Sequence, residues 1–258
     1  MKTTALLAAA LAASAWAGSA QAQTVAALVG DDTLAVIDAG ARKVQRTVKI
    51  AGVGRLVGID VRPADGMLYG VAEDGTVATI DVQSGKATTK AKLETMLAPG
   101  TMATIDFNPA ADRLRIIGAD GTNLRANVDD GKVTKDGQLR FADADQMKGQ
   151  TARVVAGAYT NSVKGTKETT LFDIDAGGAL LRQAPPNDGV LNTVGMLGMK
   201  AERVAFDIAS DGQGNNSAWL MAGGTLYRVD LASGKATEAG RVEGAGDVRD
   251  IAILPNAM

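Results

Sequence analysis

Gly58-Ile59-Asp60-Val61-Arg62-Pro63-Ala64-Asp65-Gly66-Met67-Leu68-Tyr69, followed by Thr76-Val77-Ala78-Thr79-Ile80-Asp81-Val82-Gln83-Ser84-Gly85-Lys86, is the stretch that decides the fold. It reads as strand, Pro/Asp/Gly turn, strand, Gly turn, strand, Gly-Lys turn. The period-two alternation in Thr76 to Ile80 is that of a half-buried β-strand, and the turn residues mark the reversals. The first phrase returns as Thr104-Ile105-Asp106-Phe107-Asn108-Pro109-Ala110-Ala111-Asp112-Arg113-Leu114-Arg115. A looser copy runs from Val204-Ala205-Phe206-Asp207-Ile208 to Trp219-Leu220-Met221. The second phrase returns at Val36 to Gly40, Val128 to Lys132, Ile174 to Gly177 and Val229 to Lys235. Its terminal glycines, Gly40, Gly85, Gly131, Gly177 and Gly234, are separated by 45, 46, 46 and 57 positions.

Repeats of this length, each holding four short antiparallel strands, are the mark of a β-propeller blade. The expected fold is therefore all-β, a β-propeller of about five four-stranded blades. Val248-Arg249-Asp250-Ile251-Ala252-Ile253 resembles the first strand of a blade with no successors, and Thr24 to Val29 begins a blade that lacks its first strand. Pairing of these N- and C-terminal segments would close the ring and cover both edges. A stacked-sheet sandwich of similar strand count is the structural alternative.

Met1 and Lys2 precede an apolar run from Ala5 to Ala17, and Ala20-Gln21-Ala22 supplies the small residues of a cleavage site. Residues 1–22 read as a bacterial signal peptide and residues 23–258 as a single propeller domain, exported to the periplasm or secreted. The apolar run is shorter than the roughly 20 residues that cross a bilayer, so no membrane span is expected.

Composition narrows the chemistry. The 258 residues include no histidine and no cysteine, with 27 basic against 29 acidic side chains. Ser-His-Asp triads, thiol nucleophiles, thiolate or imidazole zinc sites and disulfides all lack their atoms. The near-neutral balance provides no footprint for nucleic acid.

Oxygen donors are the metal ligands that remain. Asp60, Asp106, Asp207 and Asp250 occupy matching places in the innermost strands, where they either ring the central channel and hold a cation such as calcium or satisfy backbone donors of their own blade's turn. Asp211-Gly212-Gln213-Gly214-Asn215-Asn216 lacks the ligand pattern of a calcium-binding EF-hand loop and reads as a polar hairpin. The second full copy is where the repeat departs from itself. Alternation puts Arg113 and Arg115 on one face of a strand, and Asn123, Arg125 and Asn127 on one face of the next. Either local acids, Asp106, Asp112 and Asp129, pair with these arginines, or the face forms a pocket for a small anion. The stretch from Gln183 to Gly195, with Pro185-Pro186-Asn187-Asp188-Gly189, is the longest irregular loop. It brings Asn187, Asp188 and Asn192 forward as candidate binding residues at the rim, or else it packs over a blade edge.

The block Ile105 to Pro109 with Asp112 to Arg115, then Asn123-Leu124-Arg125 and Asn127-Val128-Asp129, resembles the family described as domain of unknown function 4394. Ala158-Tyr159-Thr160-Asn161, the 185–195 loop and Leu226 to Leu231 resemble it too. The resemblance implies an exported propeller-like protein and brings no catalytic residues with it. Two functions stand on these observations. One is a non-enzymatic binding or scaffolding propeller for a protein partner or small anionic ligand. The other is a metal-assisted hydrolase or lactonase, with calcium on Asp60, Asp106 or Asp207.

Overall fold

The computed structural model describes residues 23–255; the expected signal peptide over residues 1–22 lies outside the described residues. Twenty-one strands form five sheets. From the axis outward, the first blade is β21 (Val248–Ile253), β1 (Thr24–Val29), β2 (Thr33–Asp38) and β3 (Lys43–Lys49). The second is β4 (Leu56–Val61), β5 (Leu68–Ala72), β6 (Thr76–Ile80) and β7 (Ala87–Lys92). The third is β8 (Ala103–Asn108), β9 (Arg113–Gly118), β10 (Asn123–Ala126) and β11 (Val133–Lys135). The fourth begins with β13 (Val154–Tyr159), β14 (Leu171–Asp175), β15 (Ala179–Gln183) and β16 (Val190–Met196). The fifth is β17 (Ala205–Ser210), β18 (Asn216–Ala222), β19 (Thr225–Val229) and β20 (Ala236–Arg241). The protein is a five-bladed β-propeller of mainly four-stranded antiparallel sheets, as the repeats predict.

The inner strands neighbour one another in the order β4, β8, β13, β17, β21 and back to β4. The first and last strands belong to one blade, with Val25 opposite Ile253, Ala26 opposite Ala252 and Ala27 opposite Ile251. Inner strands are buried on both faces. Outer strands alternate and carry charge: β3 reads Lys-Val-Gln-Arg-Thr-Val-Lys, with every second residue exposed. Such charged edges resist pairing with other chains.

One blade departs from the four-stranded expectation. Chain leaving the third blade forms β12 (Arg140–Phe141), which pairs parallel to β16 at Val190 and Leu191 and gives the fourth blade a fifth strand. The only helical turn among the described residues is a 3-10 turn at Pro186–Asp188.

Five apolar clusters fill the seams between blades. Tyr69, Val71, Phe107 and Leu114 lie between the second and third, Ile117, Phe141, Tyr159 and Leu181 between the third and fourth, and Phe172, Ile174, Phe206 and Leu220 between the fourth and fifth. The glycines ending three of the repeated phrases, Gly85, Gly131 and Gly234, explain how blades come so close. Gly131 has φ 77°, and a Cβ built there would stand 2.1 Å from the carbonyl oxygen of Lys92 in the preceding blade. Its own carbonyl accepts from the N–H of Glu94 at 3.0 Å. Gly85 meets Lys49 and Ala51 in the same way. Only a residue without a side chain permits this backbone contact.

Candidate functional site

Alternation places one carboxylate-bearing face of each inner strand toward the axis, and four blades carry an aspartate there. Asp60, Asp106, Asp207 and Asp250 are all buried, and one oxygen from each of Asp60, Asp106 and Asp207 lies within 4.8 Å of the others. Each also bonds across a seam. Asp60 Oδ2 accepts from Phe107 N at 2.6 Å, Asp106 Oδ1 from Tyr159 N at 2.9 Å, Asp207 Oδ2 from Ile253 N at 2.6 Å and Asp250 Oδ2 from Ile59 N at 2.9 Å. Asp60, Asp207 and Asp250 accept in addition from the N–H of the residue that follows them. The donors therefore belong to the neighbouring blade and to the aspartate's own strand, not to its own blade's turn. At the remaining junction, between the fourth and fifth blades, Asn161 and Asn216 exchange side-chain and backbone hydrogen bonds.

Bringing four carboxylates together away from water favours their neutral forms. Burial, then the charge of Asp207, pushes Asp60 well above the usual carboxylate range; burial, then Asp60 and Asp207, does the same to Asp106. Burial lifts Asp207 to about 6 against the pull of two backbone N–H groups.

In the fourth blade the inner strand has Gly157, and the carboxylate comes from the next strand. Asp173 on β14 stands opposite Gly157, with Oδ1 2.5 Å from where a Cβ of Gly157 would be. Asp173 is fully buried and neither oxygen has a hydrogen-bond partner. Burial pushes its carboxyl to about 8, opposed by the charge of Arg115. The repeat reading missed Asp173. Its signal was an Asp in core phase within Leu171-Phe172-Asp173-Ile174.

The arginine face forms where alternation put it. Arg115 on β9 stands directly opposite Arg125 on β10. Like charges in that register repel unless an anion lies between them, and Asp136 supplies it. Asp136 Oδ2 accepts from Arg115 Nη1 at 2.5 Å and Arg125 Nε at 2.6 Å, and Oδ1 accepts from Arg125 Nη2 at 2.9 Å. Arg115 also donates to Asn123 Oδ1 at 2.7 Å, Asn187 Oδ1 at 2.9 Å and the Tyr159 hydroxyl at 3.2 Å. Its side chain is 2% exposed. Four of the five guanidinium donors are thus spent inside the protein. Arg113 donates to the carbonyl of Asp112.

The acids that sequence proximity nominated for these arginines are engaged elsewhere. Asp112 and Asp129 both make two-point contacts with Arg62, at 2.6–3.0 Å, from across the seam between the second and third blades. Asp106 bonds Tyr159. The long loop packs on a blade edge: Gly137 N donates to the carbonyl of Asn187, and Arg140 N to that of Gly189. Asn192 donates to the carbonyls of Arg182 and Ala184. Asp188 is exposed on the loop. The structure brings Arg115, Asn123, Arg125 and Asn187 together, and holds Arg113, Asp188 and Asn192 apart from them.

Two cavities open along the axis. One of about 510 Å³ has Asp60 and Asp207 in its wall, with Pro63, Ser162 and Ser210 around them. The other, of about 560 Å³, lies where the inner strands begin and takes residues from all five blades, among them Arg55, Met102, Arg153, Arg203 and Arg249. Sequence reading did not single out this second group.

Among solved structures, the chain is similar to a protein of unknown function from Bacteroides thetaiotaomicron VPI-5482, at TM-score 0.51 and 15% identity, covering 83% of this chain and 55% of that one. It is similar to a chain of the nidogen/laminin complex at TM-score 0.51 and 9% identity, covering 92% and 100%. The computationally designed Ika8 protein matches at TM-score 0.40 and 16% identity, over 86% of this chain and 59% of that one. The first two likenesses, both at TM-score 0.51, are of fold. No curated protein matches the sequence. No helix among the described residues is long and apolar enough to cross a membrane. The model of the family described as domain of unknown function DUF4394 matches residues 33–252, most of the chain, and the chain belongs to that family.

Proposed function

We propose that this protein is an exported, non-enzymatic binding propeller whose ligand or partner seats at the axis of the ring. The observation that carries this reading is the axial cavity of about 560 Å³ to which every blade contributes. A concave site of this size, lined by charged side chains as well as apolar ones, suits a small ligand or the tip of a partner. The hydrogen-bonded seams support it, because they hold the five contributing segments in fixed relation. The arginine face supports it by elimination, since Arg115 and Arg125 are neutralised internally by Asp136 and Arg115 joins the third blade to the fourth through Tyr159 and Asn187. The leader-like residues 1–22 are the ground for export.

A second reading, a calcium-assisted hydrolase or lactonase, is favoured by one observation. Asp60, Asp106 and Asp207 offer hard oxygens within 4.8 Å of one another, about twice the ~2.4 Å of a calcium–oxygen bond, so the three fit one ion. When bound, calcium would act as a Lewis acid. The aspartates would hold it at the axis, and the cavity that Asp60 and Asp207 border would admit a substrate. The test is an unfolding-temperature screen against small molecules and divalent cations, run beside ester, lactone and phosphoester hydrolysis assays. Stabilisation by small molecules with no turnover is the expected result. Calcium-dependent turnover lost in Asp106→Asn would overturn it in favour of the second reading.

A further inference from the structure

The cavity at the start of the inner strands is lined by one long side chain per blade, Arg55, Met102, Arg153, Arg203 and Arg249, and by one small apolar residue per blade, Val57, Ala103, Val155, Val204 and Val248. Arg55, Met102, Arg153 and Arg203 are exposed and precede their small neighbours, so they form the rim, while in the first blade Arg249 follows Val248 and is half-buried. Four guanidinium groups thus share the mouth with a set of small apolar side chains.

These arginines differ from the buried ones. Arg62 spends all of its donors and Arg115 four of five on side chains of their own and neighbouring blades, whereas the rim arginines keep donors free. Arg153 has no ion-pair partner among the described residues. Arg203 meets Asp247 through Nη1 alone, at 3.4 Å, with both side chains largely exposed. Arg55 and Arg249 share one oxygen of Asp31, at 3.0 and 2.8 Å, and Arg249 uses only Nη1 for it and for the carbonyls of Gly30 and Leu56. Glu202 and Asp247 also line the cavity. Arg55 also stands 3.9 Å from Glu73 Oε2, so with Asp31 and Glu73 counted four positive charges face four negative ones. What the rim offers an anion is the unspent, fork-shaped donors of Arg153 and Arg203, of the kind that match a carboxylate.

We propose that this mouth binds small organic anions, carboxylates with a short apolar body. The inference rests on the axial-binding reading above and names its ligand class. The acid group pairs with Arg153 and its neighbours at the rim, and the hydrocarbon part lies on the small apolar side chains. Asp60 is three residues further along β4 than Val57, about 10 Å deeper at the rise of a strand, and it accepts from the N–H groups of Val61 and Phe107, so an acid group carried that far would leave the arginine donors behind.

The experiment is calorimetric titration and thermal shift of the chain from Gln23 onward with sodium hexanoate, inorganic phosphate, hexanol and hexylammonium. Hexanoate is expected to bind and to raise the unfolding temperature, more strongly than either phosphate or hexanol. Arg153→Ala and Arg203→Ala, both exposed and outside the seams, should each weaken hexanoate about tenfold. Arg113→Ala, on the third blade away from the mouth, should leave it unchanged. Equal binding of hexanoate and hexanol, or hexanoate binding that ignores Arg153→Ala and Arg203→Ala, overturns the proposal. Hexanol or hexylammonium binding without hexanoate defeats the anion class while the axial site survives. Failure of all four probes to bind defeats the proposal, and the broader screen then decides the axial reading separately.

Discussion

Replacing Asp136 with alanine puts the arginine seam to the test. The side chain is 5% exposed and is the only carboxylate within salt-bridge distance of either Arg115 or Arg125 among the described residues. Arg115 stays 2% exposed with its charge uncompensated, and the two guanidinium groups face each other across β9 and β10. Removing one member of a buried ion pair costs about 3–5 kcal/mol, because the other is left unpaired away from water. For a domain of this size each kcal/mol lowers the midpoint by about 2–4 °C, so a drop of roughly 6–20 °C is expected. Arg125 is 31% exposed, so water can replace its partner and Arg125→Ala should cost about 1 kcal/mol or less. The measurement is urea and thermal unfolding followed by circular dichroism, in a double-mutant cycle with Arg115→Met. The double variant Arg115→Met/Asp136→Leu should regain much of the loss. A cost below about 1 kcal/mol for Asp136→Ala, or strictly additive effects in the cycle, would refute the claim that Asp136 neutralises the buried Arg115 between β9 and β10.

Two further outcomes follow from buried groups and close contacts. Asp173 has its carboxyl pushed to about 8 in the folded protein, against about 3.9 in an unfolded chain. The fold therefore keeps a proton that the unfolded chain has released, and stability should fall by about 1.4 kcal/mol per pH unit for this proton between roughly pH 4 and pH 8, then level off. The axial aspartates add to the slope in the same direction. Asp173→Asn should flatten it by one proton's worth, and identical slopes for the two proteins from pH 5 to pH 8 would show Asp173 to be ionised throughout. Gly131→Ala must absorb both a positive φ and a Cβ 2.1 Å from Lys92 O, whereas Gly66→Ala has a similar φ and open space. The first should cost about 3 kcal/mol or more and the second about 1 kcal/mol; equal unfolding midpoints would mean that the blades are not in backbone contact at Gly131.

The blades were legible because their signals are local. Asp81 accepts from the N–H groups of Gln83 and Ser84 within one turn, and Asp230 does the same for Ala232 and Ser233, so the phrase that recurs in sequence is a self-contained turn in space. The axial aspartates were legible because they repeat in phase. Asp136 was not, since Lys135-Asp136-Gly137 reads as an ordinary turn and its partners lie 11 and 21 positions away. Strand β12 is two residues long and parallel, too short to show any period. The rim arginines escaped for another reason: Arg55, Arg203 and Arg249 stand five, four and one positions before their aspartates, so aligning the repeats scatters them. Convergence on a mouth is a property of the ring, not of the blade.

The pairing of β21 with β1 sets an order of events in the making of the molecule. The last strand of the ring in chain order supplies the axial strand of the blade that holds the first, so β1 must wait, with one edge bare, until all the other blades have been made. A chain that stops before Val248 keeps three outer strands of that blade without their anchor and loses the acceptor that Asp207 offers to Ile253. Such a fragment presents the strand edge that another copy of itself can fill. Clipping the final dozen residues should therefore yield not a shorter monomer but interlocked or clumped material.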